Sequence, residues 1–224
     1  ILKSREAIQE ESEPNDSMDD ADTLHVNRET TGYFSPAYNR LNEEKENLHR
    51  EEDWYAIDVS LKDGGPELMD VSLSGVSDVN SVLRLYDPEG AEIAVSDNGG
   101  AGEPESISGA GIKRSGTYYI MVASRGYTAN HEEPYTLSAA VKEHNSGTEM
   151  EPNDDYDAAN AFSNLITGMI NSKEDRDVYL YQAEGGPSIY RIELRPPEDM
   201  DAILTIYNSD REKLMDVNGG GRSK

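Results

Sequence analysis

Trp54-Tyr55-Ala56-Ile57-Asp58-Val59 alternates between two faces. Tyr55, Ile57 and Val59 point one way, and Trp54, Ala56 and Asp58 point the other. A period of two over six residues, rich in aromatic and β-branched side chains, is the pattern of a strand laid on a core. Segments 69–73, 82–86, 93–96, 117–123 and 135–141 read the same way, with Gly, Pro, Asn and Asp in the gaps. Asp87-Pro88-Glu89-Gly90, between two such segments, is a β-turn signal. Short strands at close intervals specify an all-β fold, a sandwich or a barrel-like domain.

Working outward, the chain repeats itself. Glu11-Ser12-Glu13-Pro14-Asn15-Asp16-Ser17-Met18-Asp19-Asp20-Ala21 matches Glu149-Met150-Glu151-Pro152-Asn153-Asp154-Asp155-Tyr156-Asp157-Ala158-Ala159 at seven of eleven positions. The likeness continues. Asp53-Trp54-Tyr55 parallels Asp177-Val178-Tyr179, Gly64-Gly65-Pro66 parallels Gly185-Gly186-Pro187, and Val82-Leu83-Arg84-Leu85-Tyr86 parallels Ile203-Leu204-Thr205-Ile206-Tyr207. The first copy carries an extra polar segment at 35–51, read as an exposed loop. The second stops at Lys224 with no counterpart of 115–123 or 135–141. That leaves either a shortened copy or strands supplied by a neighbouring molecule in a strand-swapped dimer. A helix is expected after each Pro-Asn-Asp triplet, over 16–24 and 154–165, with Asp16 or Asp154 as N-cap.

The chain has 224 residues, 20 Lys plus Arg against 45 Asp plus Glu, and a formal charge of -25. Such a field repels phosphate backbones and anionic lipid, which argues against nucleic acid and membrane-surface partners. Mean hydropathy is -0.75, and no apolar run approaches the ~18 residues of a membrane span. Ile1-Leu2-Lys3-Ser4-Arg5-Glu6 has no signal-peptide profile. With no cysteine, disulfides, thiolate metal sites and cysteine nucleophiles are excluded. The four histidines lack helical ligand spacing, and neither Gly-x-Ser-x-Gly nor His-Glu-x-x-His occurs, so no catalytic role is expected.

The acidic motif has its own chemistry. Glu13 precedes Pro14 and is held extended, which sets Glu11, Glu13 and Asn15 on one side, with Asp16 following at a bend. All the donors are hard oxygens, the ligands calcium takes. Further oxygens come from the acidic stretch before the aromatic strand: Glu51, Glu52 and Asp53 in the first copy, Glu174, Asp175 and Asp177 in the second. The competing reading is an ordinary loop-to-helix junction with an Asp cap. Ser96-Asp97-Asn98-Gly99-Gly100 reads better as a Gly-rich turn than as a metal loop.

Taken in order, Glu11-x-Glu13-Pro14-Asn15-Asp16, Asp53-Trp54-Tyr55, Leu83-x-Leu85-Tyr86-Asp87-Pro88-x-Gly90 and Ser115-Gly116-Thr117-Tyr118-Tyr119-Ile120-x-Val122 resemble the bacterial pre-peptidase C-terminal domain, a family that includes the collagen-binding domains of clostridial collagenases. The likeness covers nearly all of 11–142 and two-thirds of a second copy from 149. It implies two tandem jelly-roll-like β-sandwiches, 11–142 and an incomplete 149–224, after an N-terminal extension 1–10 and joined by a linker 143–148. It implies a non-catalytic module of a secreted or cell-surface bacterial protein, beside a peptidase domain of the same precursor.

The resemblance also implies calcium on the acidic segments, stiffening the linker. Glu11, Glu13, Asn15, Asp16 and Asp53 take those places in the first copy. In the second they fall to Glu149, Glu151, Asn153, Asp154 and Asp177, with Ser172 and Glu174 as further candidates. The alternative use is recognition of collagen, another matrix protein or a polysaccharide through a Tyr-bearing sheet, since 13 Tyr stand against two Phe. Against it, Tyr55, Tyr86, Tyr119 and Tyr135 read as half-buried sheet residues.

Overall fold

The computed structural model describes residues 8–35, 52–62, 65–126, 128–172, 175–198 and 200–218. Its strands are β1 (Gln9–Glu10), β2 (Asp22–Thr23), β3 (Glu29–Phe34), β4 (Glu52–Val59), β5 (Glu67–Leu73), β6 (Ser81–Tyr86), β7 (Glu92–Ser96), β8 (Glu105–Ile112), β9 (Gly116–Ser124), β10 (Asn130–Glu143), β11 (Asn160–Phe162), β12 (Tyr179–Tyr181), β13 (Leu204–Tyr207) and β14 (Lys213–Val217). The extra segment of the first copy lies, from 36 to 51, outside the described residues, as do Gly64 and Glu174.

Two five-stranded sheets, ordered β1-β3-β10-β5-β8 and β2-β4-β9-β6-β7, form a β-sandwich. The alternation read in the sequence decides which face lies inside. Tyr55, Ile57 and Val59 meet Leu83, Leu85, Ile120 and Val122 of their own sheet and Met69, Val71 and Leu73 of the other, all buried. The opposite face of β4 is used too: Trp54 packs with Met121 and Ala123, with Tyr86 and Tyr119 alongside. The turn at 87–90 forms as expected. Gly90 N–H donates to the Asp87 carbonyl at 2.9 Å, and Asp87 Oδ1 accepts from Glu89 and Ala91.

The helices expected over 16–24 and 154–165 are absent. The first segment makes one 3-10 turn, Met18–Asp20, in which Ser17 Oγ donates to Asp20 Oδ2 at 3.1 Å rather than capping the turn, and then becomes β2, paired in parallel with β4. In the second, Asp155 Oδ1 takes the Asp157 and Ala158 N–H groups in a turn, and the chain passes into β11. Asp side chains compete for backbone donors, and neither segment has the apolar period that would hold a helix on a core.

Two compact units divide the chain, 1–182 and 183–224. The first holds the sandwich and the second acidic segment. The linker is itself an ordered turn: Asn145 accepts from Gly147 and Thr148, and His144 Nε2 lies 2.8 Å from the Thr148 carbonyl. From there the chain runs against β8, an outer strand. Gly111 N–H donates to Glu151 O at 2.7 Å and Glu151 N–H to Gly109 O at 3.0 Å. In the second unit β13 and β14 form an antiparallel hairpin whose Leu214, Met215 and Val217 are exposed.

Candidate metal centres

Each acidic motif folds into a cage. Carboxylate oxygens of Glu11, Glu13 and Asp53 lie within 4.8 Å of one another, and those of Glu149, Glu151 and Asp177 do the same. The local frames match bond for bond. Glu11 N–H donates to Thr31 O at 2.9 Å, as Glu149 N–H does to Thr167 O at 2.9 Å. Trp54 N–H donates to Asn15 O at 2.9 Å, as Val178 N–H does to Asn153 O at 3.0 Å. Asn15 N–H donates to Glu13 at 3.2 Å, as Asn153 N–H does to Glu151 at 2.9 Å. Both Glu-Pro bonds are cis.

Buried hydroxyls hold the deepest carboxylates. Glu11 accepts from Tyr33 N–H at 2.6 Å and from Tyr55 Oη at 3.0 Å, and Tyr135 Oη lies 2.9 Å from Glu11 and 2.5 Å from Asp53. Glu149 accepts from Met169 N–H and, at 2.6 Å, from Tyr179 Oη, which also lies 3.1 Å from Asp177. Burial pushes the Tyr55, Tyr135 and Tyr179 phenols upward, so they stay protonated donors. Gly32 and Gly168 allow this close approach. A Cβ on Gly32 would fall 2.1 Å from Glu11 Oε2 and 2.3 Å from Tyr135 Oη, and one on Gly168 2.2 Å from Glu149 Oε2 and 2.3 Å from Tyr179 Oη.

Negative charge is crowded and partly buried in both groups. Burial raises Glu11 and Glu149 above the usual carboxylate range. Burial, then the Asp175 charge, pushes Glu151 up to about 7; burial, then the Glu149 charge, pushes Asp177 up to about 7. Ion pairs among the described residues leave Glu149, Glu151 and Asp177 out. The Asn15 and Asn153 side chains are fully buried, and their amide oxygens accept no hydrogen bond; Asp177 Oδ1 is buried and likewise lacks a donor. An acceptor left dry and unmatched costs about 1–3 kcal/mol, a cost that a bound cation removes. The donor set of carboxylates and amide oxygens, without nitrogen or sulfur, fits calcium.

Of the residues singled out in the sequence, Glu11, Glu13, Asp53, Glu149, Glu151 and Asp177 are brought together. Asn15 and Asn153 are buried beside them. Asp16 and Asp154 join neither carboxylate group, and Glu174 lies outside the described residues. Sequence reasoning missed the glycine pair, the tyrosine hydroxyls and Asn171, whose side chain donates to Glu151 at 3.2 Å. The repeated Thr-Gly of Thr31-Gly32 and Thr167-Gly168 was the available signal. The loop at 96–100 is a turn, held by Glu105 rather than arranged as a cage: Glu105 accepts from Ser96 Oγ at 2.5 Å, Asn98 N–H at 3.1 Å and Gly99 N–H at 2.7 Å.

The family model of the bacterial pre-peptidase C-terminal domain matches residues 51–124, which run from the acid before β4 through β9. Within the sandwich, residues 51–124 are thus similar to a pre-peptidase C-terminal domain. Domains of this family are non-catalytic accessory domains. Among solved structures, the chain resembles the pre-peptidase C-terminal domain of a Bacillus anthracis collagenase at 15% identity, covering 53% of this chain and 93% of that one with a TM-score of 0.38. It also resembles Aeromonas hydrophila PliG, a periplasmic inhibitor of g-type lysozyme, at 18% identity, covering 55% and 97% with a TM-score of 0.34. No curated protein matches the sequence. Among the described residues, no helix is long and apolar enough to cross a membrane.

Proposed function

We propose that the chain is a calcium-binding accessory module of an exported bacterial protein, with a peptidase domain in the same precursor, and that calcium locks the joint at 143–153. In this reading the chain from 149 to 224 belongs to a second, incomplete domain of the same family. Glu11, Glu13, Asn15 and Asp53 hold one ion; Glu149, Glu151, Asn153 and Asp177 hold the other. The ion would supply positive charge to buried oxygens and tie residues distant in sequence. The observation that carries this is the pair of fully buried asparagine oxygens without a donor, each beside three converging carboxylates.

The position of the second cage gives it a mechanical role. Glu151 already bonds the β8 backbone, and Asp177 lies just ahead of β12. An ion between them joins the end of the linker to the segment that follows. At a Kd of ~10⁻⁴ M, 1 mM calcium adds ~1.4 kcal/mol to whatever unfolds with the site. The recognition alternative finds less support, because Tyr55, Tyr118 and Tyr135 are wholly buried.

Titration calorimetry on the full chain, after chelator treatment, tests the reading. Two calcium-binding events are expected. Trp54, the one tryptophan, follows Asp53, so its fluorescence should report the first site alone. Absence of any heat at millimolar calcium, with an unshifted melting curve, would sink the proposal.

A further inference from the structure

The strands β7 and β8 are outer strands of the two different sheets. Between them and the wall formed by the second acidic segment lies a groove of about 350 Å³. Its floor is apolar: Ile93, Ala94 and Ile107, at the rim of the core. Its rim is acidic: Glu92, Glu151, Asp154 and Asp175, with no Lys or Arg among the lining residues. The volume sits at the low end for ligand sites, room for a few side chains.

We propose that this groove binds an extended peptide segment carrying a Lys or Arg side chain between small apolar ones. The backbone supplies the first reason. Among the described residues β7 pairs only with β6, so alternate N–H and C=O groups of Glu92–Ser96 face outward, as a peptide adding to a sheet edge requires. Charge supplies the second: Glu92 is paired with Arg84, but Glu151, Asp154 and Asp175 have no ion pair among the described residues, and three such carboxylates beside an apolar floor favour a cationic head on an aliphatic stem and repel an acidic peptide. The wall is built without any ion. Glu151 is bonded to Gly109 and Gly111 of β8, and Asn98 Nδ2 donates to Asn171 O at 2.6 Å. The site therefore does not depend on the calcium reading, although an ion at Glu151 would lower the rim charge and weaken the peptide.

Fluorescence anisotropy with the full chain in chelator and 0.15 M salt, using labelled Val-Lys-Val-Arg-Val and Val-Glu-Val-Glu-Val, tests this. The basic peptide should bind and the acidic one should not. Ser106→Arg places a cation in the groove at an exposed lining position, and Glu132→Gln makes the same change in net charge on β10, outside the lining. The first should weaken binding by about tenfold or more and the second by less than about twofold. Equal weakening by both variants would assign the effect to the overall field and overturn the groove. Binding of spermidine as tight as that of the peptide would overturn the strand-like occupant. Melting curves of both variants, unchanged from the parent, separate lost binding from lost fold.

Discussion

Tyr179 donates its phenolic hydrogen to Glu149 at 2.6 Å, the bond that Tyr55 makes to Glu11 at 3.0 Å. In both places the hydroxyl stands two residues after the cage's aspartate, Asp53 within β4 and Asp177 just ahead of β12. Extended chain repeats its side-chain direction every second residue, so one segment delivers a ligand and the group that orients a ligand. Groups of this second kind change metal affinity by about 10–100-fold when removed. Tyr179→Phe should weaken calcium at the second site by about tenfold and leave the Trp54 response unchanged. Tyr55→Phe should do the reverse. Calorimetry beside Trp fluorescence measures both.

The glycines beside these hydroxyls make a second prediction. Alanine at Gly168 would press on Glu149, which is buried, and on Tyr179, which is partly open to solvent and able to shift. Gly168→Ala should therefore weaken calcium at the second site without lowering the melting temperature of the sandwich. Alanine at Gly32 presses on Tyr135, which is 0% exposed within the core. Gly32→Ala should cost about 1–3 kcal/mol of sandwich stability as well as calcium at the first site. Thermal unfolding in chelator distinguishes the two.

Strands with bulky alternation were legible: β4, β6 and β9 carry their core residues at every second position. β8, Glu105-Ser106-Ile107-Ser108-Gly109-Ala110-Gly111-Ile112, was not, because its small residues are set by what packs on them rather than by a period. The Asp-rich stretches were misread as helices, since a capping residue says where a helix can start and not whether a strand partner competes for the backbone. The cage carboxylates were legible because the motif occurs twice. Tyr135, 124 residues from Glu11, was not; only the pairing of β10 with β3 brings the two together.

Acids of similar burial differ in role, and Glu105 marks the difference. Its two oxygens are matched to three donors at 2.5–3.1 Å, and it needs no ion. Glu105→Gln would turn an amide NH₂ toward a donor. It should lower stability by about 1–3 kcal/mol, read as a lower urea midpoint with an unchanged slope, and leave calcium titrations as they were.

Glu151 and Asp177 should behave in the opposite sense. Both lie near 7 in the folded, metal-free chain against ordinary values of 4.5 and 3.8, raised first by burial and then by neighbouring negative charge. Between about pH 4 and 7 the folded state therefore holds protons that the unfolded state has released. Stability contributed by these groups is full at the acid end, falls as pH rises through about 7, and then levels off. Calcium needs the ionised forms, so its affinity should rise across that window. The gap between melting temperatures with calcium and with chelator should widen from about pH 5 to pH 8. At pH 8 in chelator, Glu151→Gln should melt above the parent, because it removes a charge the empty cage must otherwise hold; with calcium present the order should invert. A gap that stays constant with pH, or a Glu151→Gln variant that melts lower in chelator, would show that these carboxylates stabilise the fold by themselves rather than wait for an ion.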